Sequence, residues 1–104
     1  MDAAAAFERL ADDMGAAGVT AAPMFGKPSL KHGSKAFACL FGEAVAFRLL
    51  AGSAEHTAAL GLAGAALFDP SGRDRPMKDW VCVPVAHARR WQDFATTAMA
   101  RLSA

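Results

Sequence analysis

Apolar residues recur at helical spacing near both ends of the chain. Near the start, one such stripe predicts a helix over residues 3–14, with Asp2 as its N-cap. That stripe consists of Phe7, Leu10, Ala11 and Met14. Towards the end, a second stripe predicts a helix over residues 86–102. That stripe consists of Trp91, Phe94, Ala95, Ala98 and Leu102.

The middle of the chain shows the shorter apolar runs of β-strands, broken by turn residues. The predicted strands are 24–31, 35–41, 44–50, 65–68 and 80–83. Gly26 and Pro28 interrupt the first strand, which we therefore expect at a sheet edge or with a bulge. Gly42-Glu43 suits a two-residue type II′ turn, because that turn takes glycine first. Between the third and fourth strands, Ser53 can cap a short helix over residues 54–60.

The hairpin of strands 35–41 and 44–50 has two faces if Phe41 lies opposite Ala44. One face is wholly apolar and is expected under the helices: Ala36, Ala38, Leu40, Val45, Phe47 and Leu49. The other carries Phe37, Cys39, Phe41, Ala44, Ala46 and Arg48. A sheet face that meets water is normally polar, so the second face predicts a partner surface and a possible homodimer. The alternative is that strand twist or the terminal segments hide Phe37 and Phe41 within the monomer.

Composition bounds the class of protein. The chain has 104 residues, enough for one domain, and 54% apolar against 20% charged residues is a globular balance. The net charge of +1 gives no field that would attract nucleic acid, so direct specific DNA binding is not expected. The start lacks the basic segment of a signal peptide, and no apolar run reaches the length of a membrane helix. These features predict a cytoplasmic protein without membrane contact.

Catalytic and cofactor signatures are missing from the sequence. There is no Gly-x-Ser-x-Gly elbow, and Gly26-Lys27 fails as a phosphate loop because Ala21 and Pro28 occupy its glycine and hydroxyl positions. The histidines His32, His56 and His87 show no ligand spacing, so we predict no metal and no cofactor. Cys39 and Cys82 are interpreted as buried thiols; a disulfide or a reactive thiol is the alternative.

The loop from Asp69 to Trp80 is the most plausible functional surface. It mixes cations and anions: Arg73, Arg75 and Lys78 beside Asp69, Asp74 and Asp79. One interpretation is a solvated loop in which the opposite charges pair locally. The other is contact with a partner or a small anion through the arginines. A small-molecule pocket near this loop would draw on Arg73, Arg75 or Arg48.

Four motifs along the chain are informative: Met24-Phe25-Gly26, Lys35-Ala36-Phe37-Ala38, the stretch from Leu67 to Gly72, and Pro76-Met77-Lys78-Asp79-Trp80 running to Val83-Pro84. Together they resemble the N-terminal domain of the TfoX/Sxy family, proteins associated with regulation of bacterial competence. In the first motif, Gly26 is expected to supply a backbone geometry or a close approach that a Cβ would obstruct. The resemblance covers nearly the whole chain, as a single domain over residues 1–104.

The resemblance implies a two-layer α+β fold with the order α-β-β-β-α-β-β-α. A five-stranded antiparallel sheet would lie against three helices, a layout shared with secretion chaperones. It implies no catalytic residues. The first functional hypothesis is therefore a non-enzymatic protein-interaction module, with a role in transcriptional regulation. The alternative is a small-molecule-binding protein or an enzyme with a pocket near the 69–80 loop.

Overall fold

Residues 2–103 are described by a computed structural model, which places three helices against one antiparallel sheet. The helices are α1 (Ala3–Met14), α2 (Ala54–Leu60) and α3 (Trp91–Ala100). The strands are β1 (Val19–Met24), β2 (Lys27–His32), β3 (Lys35–Phe41), β4 (Ala44–Arg48), β5 (Ala66–Phe68) and β6 (Met77–Pro84). Short 3₁₀ segments cover Gly15–Ala17, Val85–Arg90 and Arg101–Ser103.

The six strands lie in the order β1-β2-β3-β4-β6-β5, and every neighbouring pair is antiparallel. The fold is α+β, as predicted, but the sheet within the described residues has six strands where five were expected. Apolar side chains of α1 and α3 share one buried cluster with one face of the sheet, which we call the inner core. Its members include Phe7, Leu10, Leu30, Phe37, Phe47, Trp91 and Phe94. Across the described part of the chain, no helix has both the length and the apolar character needed to cross a membrane.

The predicted starts of the first two helices are confirmed by their caps. The Asp2 carboxylate accepts the N–H of Ala5 at 2.7 Å, and the Ser53 hydroxyl accepts the N–H of His56 at 3.1 Å. These bonds satisfy backbone donors that the first turn leaves free. The last helix is shorter than expected, because residues 85–90 form a 3₁₀ segment in which His87 has non-helical φ and ψ. The His87 ring is hydrogen-bonded to the carbonyl of Ala63 at 2.9 Å.

A sixth strand, β1, was missed by the sequence analysis. Residues 24–31, predicted as one interrupted strand, contain the end of β1, a two-residue turn at Phe25-Gly26 and most of β2. β1 contains two alanines and a proline and has no buried residue, so it shows little apolar alternation. Its pairing with β2 supplies the stabilisation that its own composition does not.

A β-bulge moves Phe37 to the opposite face from the one predicted. Leu30 is paired with Ala38, but the next residue of β2, Lys31, is paired with Ala36, so Phe37 is an extra residue in β3. An extra residue resets the alternation of faces. Phe37 therefore lies fully buried in the inner core, and Ala36 lies on the other face. The Phe41–Ala44 pairing and the faces of the remaining core residues of this hairpin are as predicted.

β4 ends two residues earlier than predicted, and β6 begins three residues earlier. The carbonyl of Asp79 accepts the N–H of Leu49 at 2.8 Å and of Leu50 at 3.1 Å. Its carboxylate accepts the N–H of Ala51 at 2.8 Å. Asp79 was considered a loop anion, yet these bonds make it an organiser of the turn that connects β4 to α2.

Candidate functional site: the outer sheet face and the Phe25 hairpin

The sheet face away from the helices carries a second buried cluster, which we call the outer cluster. Its buried members are Cys39, Ala46, Phe68 and Trp80, with Met24, Ala36, Phe41, Met77 and Cys82 partly buried around them. Every one of these residues comes from a strand. The sheet thus buries apolar residues on both faces although helices cover only one.

Curling of the sheet explains this burial. The rings of Phe41 and Phe68 lie 5.2 Å apart, edge to face, although β4 and β6 separate their strands. In a flat sheet, three strand spacings would hold them about 14 Å apart. The register shift between Leu67 and Phe68 and the ordinary strand twist close this distance. Phe68 also lies 5.9 Å from the ring of Trp80, so the outer face is concave and partly fills itself.

This geometry separates the residues that were predicted to form an apolar partner patch. Phe37 is fully buried on the inner side, so its placement on that patch was wrong. Phe41 is half-buried against Phe68, and the Lys27 ammonium lies 5.1 Å from its ring centroid. Arg48 is paired with Trp80 across β4 and β6 and stays half-exposed. Homodimerisation remains a prediction, without the two-phenylalanine patch from which it was argued.

Both cysteines are free thiols in the outer cluster. Cys39 and Cys82 are both in register with Ala46, so β4 separates them. Two strand spacings are about 10 Å, more than a disulfide spans. Burial raises the pKa of Cys39 to about 11, against an opposing effect of Lys27. Burial, and then the neighbouring Cys39, raise the pKa of Cys82 to about 12, so neither group has the thiolate character of a reactive cysteine.

The loop between β5 and β6 is held by the carboxylate of Asp69. It accepts the Ser71 hydroxyl at 2.6 Å and three backbone N–H groups, those of Ser71 at 3.1 Å, Gly72 at 3.2 Å and Arg75 at 3.1 Å. Local pairing of the opposite charges is therefore not what orders this loop. Within residues 2–103 neither Arg73 nor Arg75 forms an ion pair, and both side chains, like that of Lys78, are exposed. These three cations are free to meet a partner.

The bonds to Asp69 predict a pH dependence. The Ser71 hydroxyl, followed by the backbone N–H groups of Arg75, Ser71 and Gly72, lowers the pKa of Asp69 below its ordinary value. A lowered native pKa stabilises the fold above the unfolded-state value, about 3.9, and this contribution is lost as the pH falls through the native value. As the pH is lowered through that range, we expect the amide of Arg75 to lose protection from hydrogen exchange.

Asp69→Asn should abolish the acid-dependent part of this protection. Asp74→Asn is the matched control, because Asp74 lies in the same loop and accepts none of these bonds. An unchanged pH profile in Asp69→Asn would show that another group controls the loop.

The turn between β1 and β2 presents an exposed aromatic ring. Phe25 is 61% exposed and has φ of 55°, and Gly26 follows with φ of 74°. Two positive φ values define a type I′ turn, which favours Asn-Gly. No atom lies within 4 Å of the position a Gly26 Cβ would take, so this glycine serves backbone geometry and not close approach. Pro23 and Pro28 lie opposite each other just behind the turn.

The other chemical groups considered in the sequence have structural partners or lie apart. The His56 ring is hydrogen-bonded to the carbonyl of Lys78 at 2.7 Å and joins α2 to β6. Among the described residues, no three His, Cys, Asp or Glu side chains are grouped to hold a metal ion. Glu55 pairs with Arg101, whose guanidinium also donates to the carbonyl of Leu49 at 2.7 Å.

Three surface cavities of about 280–400 Å³ lie beside the helices. One is between α1 and the start of α3, one is between the β2–β3 turn and the end of α3, and one is between α2 and α3. No residue of the 69–80 loop lines any of these three. Comparisons with protein-family models, with curated proteins and with solved structures found no match to the chain.

Proposed function

We propose that this chain is a cytoplasmic, non-enzymatic protein-interaction module of the kind that the TfoX/Sxy N-terminal domain represents, with a role in transcriptional regulation. The observation that carries the interaction is Phe25, an exposed aromatic residue at a position where backbone geometry disfavours it. The partner offers an apolar pocket for the Phe25 ring.

Phe25 is unfavourable for the stability of the isolated chain for two separate reasons. A non-glycine residue in the left-handed region costs about 1–2 kcal/mol. Its ring also gains little from burial, because most of its surface stays in water. Strained residues of this kind concentrate at binding sites, and exposed aromatic side chains are frequent anchors of protein interfaces.

The hairpin behind Phe25 suits an anchor. Pro23 and Pro28 fix φ on both strands, and the closing pair Met24–Lys27 joins the turn to the sheet, with Met24 against the outer cluster. A rigid hairpin loses little entropy when its tip enters a pocket. Lys27, directly after the turn, favours a pocket with an acidic rim.

Phe25→Asn is expected to make the isolated protein more stable, by about 1 kcal/mol, because asparagine tolerates the left-handed conformation of this turn. The same substitution should weaken partner binding, because it removes the ring that anchors the interface. The unfolding free energy from denaturant titration checks the first effect. Leu60→Asn is the control, because Leu60 is also an exposed large apolar residue but has no positive φ. A loss of stability in Phe25→Asn would show that Phe25 packs within its own fold.

The partner is tested by photo-cross-linking in the native host. Benzoylphenylalanine at position 25 should give one specific protein adduct, and the same probe at position 60 should not. Affinity for the identified protein, measured with purified components, should fall at least about tenfold in Phe25→Asn, as for an interface anchor. Equal adducts from both positions, or unchanged affinity, would contradict the proposal. An adduct between two copies of the chain would identify the partner as a second copy and would support the homodimer.

A further inference from the structure

The cleft between α1 and the start of α3 combines an apolar floor with a charged rim. Its volume is about 300 Å³. Leu10 and Trp91 form the floor, both almost fully buried, and Arg9, Asp13 and Arg89 stand at the rim. The indole N–H of Trp91 already donates to the carbonyl of Val83 at 3.1 Å, so the floor offers no polar group of its tryptophan to a ligand.

The two rim arginines differ from Arg90 and Arg101, which flank α3. Arg101 is paired with Glu55, and the Arg90 guanidinium lies 5.2 Å from the ring centroid of Phe94. By contrast, no hydrogen bond or ion pair within residues 2–103 engages the side chain of Arg9 or Arg89. Arg9 therefore forms no ion pair with Asp13, although Asp13 lies one helical turn after it. Two guanidinium groups therefore remain available at the mouth of one cavity.

We propose that this cleft binds a small monocarboxylate with an apolar body. The carboxylate would be held by Arg9 and Arg89, because guanidinium groups match carboxylates in charge and geometry. The apolar body would lie over Leu10 and Trp91. A volume near the lower end of ligand pockets limits the ligand to a small molecule. Two positive charges against the single negative charge of Asp13 favour a monoanion. The site is separate from the Phe25 hairpin, and neither proposal depends on the other.

The probe is phenylacetate, titrated into the whole protein and followed by amide chemical shifts. We expect saturable shifts in the millimolar range, centred on α1 and the start of α3. Phenylacetamide has nearly the same shape without the charge and should bind at least about fivefold more weakly, since charged hydrogen bonds are the stronger ones. Absence of saturable shifts, or equal affinity for the amide, would overturn the proposal.

Removing a positive charge and removing the negative charge at the rim should change phenylacetate affinity in opposite directions. Arg9→Gln and Arg89→Gln should each weaken phenylacetate binding by about 3–10-fold, the range for partly solvated charged contacts. Asp13→Asn should tighten it by about twofold, because a like charge is removed. All three side chains are exposed, so the fold is expected to persist, and thermal melts check this.

Arg73→Gln is the control for net charge, because it removes one exposed positive charge from a loop that does not line the cleft. Its affinity for phenylacetate should equal that of the unmodified protein. An equal loss of affinity in Arg73→Gln would show that net charge, and not a site at the cleft, determines binding, and would overturn the proposal. Weaker phenylacetate binding in Asp13→Asn would contradict the repulsion expected between the two carboxylates, and would overturn the monocarboxylate assignment.

Discussion

Trp91→Ala is expected to lower the free energy of unfolding by about 3–5 kcal/mol, as is usual for a buried aromatic residue replaced by alanine. Trp91 begins α3, is almost fully buried in the inner core, and donates its indole N–H to the carbonyl of Val83 at 3.1 Å. Alanine would leave a cavity between α1 and the sheet and an unpaired acceptor at the end of β6. Phe94→Ala should cost a similar amount, because its ring lies 5.9 Å from that of Phe47.

Denaturant titration measures both losses. Gln92→Ala is the matched control, because it lies between the two aromatic residues on the same helix and is exposed. It should change the unfolding free energy by less than about 0.5 kcal/mol. Trp91→Phe separates packing from the hydrogen bond, which we expect to contribute about 1 kcal/mol. Losses below about 1 kcal/mol in Trp91→Ala and Phe94→Ala would mean that α3 packs elsewhere or frays.

Local signals in the sequence were sufficient for much of the fold. α1 and α2 begin and end at the predicted residues, because a cap and an apolar stripe or a terminal glycine are readable within one or two turns of helix. The β3–β4 hairpin has the predicted register, because Gly42, with φ of 59°, fixes a two-residue turn. In each case the information lies within a few residues of the structure that it determines.

Features that depend on distant contacts were not predictable. The bulge at Phe37 exists because β2 and β3 shift register, and nothing within the sequence of β3 distinguishes it from a regular strand. The curl that brings Phe41 to Phe68 depends on strands 27 residues apart. Both features bury apolar side chains that a regular two-residue alternation would place on the solvent-exposed face of the sheet. This is why the predicted patch of Phe37 and Phe41 differs from the observed outer face.

Part of the surface proposed for partner contact was already named from the sequence. The exposed cations Arg73, Arg75 and Lys78 were named from the loop sequence, and the structure leaves them without ion pairs within residues 2–103. Phe25 was named only as part of a motif. Phe-Gly is an unusual pair for a type I′ turn, so its exposure became visible only when β1 was seen to pair with β2.

Phe68→Ala is expected to have the second large effect on stability, again about 3–5 kcal/mol. Phe68 is fully buried although no helix covers it, and its contacts with Phe41 and Trp80 lie at the centre of the outer cluster. If the outer face is a true second core, removing this ring costs as much as removing one from under the helices. Phe41→Ala is the control, because Phe41 is only half-buried in the same cluster and should lose less.

The thiol of Cys39 gives an independent readout of the same change. It is fully buried in the outer cluster, and its raised pKa keeps it protonated at neutral pH. In a Cys82→Ser background, Cys39 should react slowly with a thiol reagent, and Phe68→Ala should accelerate the reaction because the cavity admits solvent. Rapid labelling before the substitution, or a loss of stability below about 1 kcal/mol after it, would mean that the outer face is open in solution. Phe41 would then be exposed as well, and the homodimer argued from an apolar outer face would regain its support.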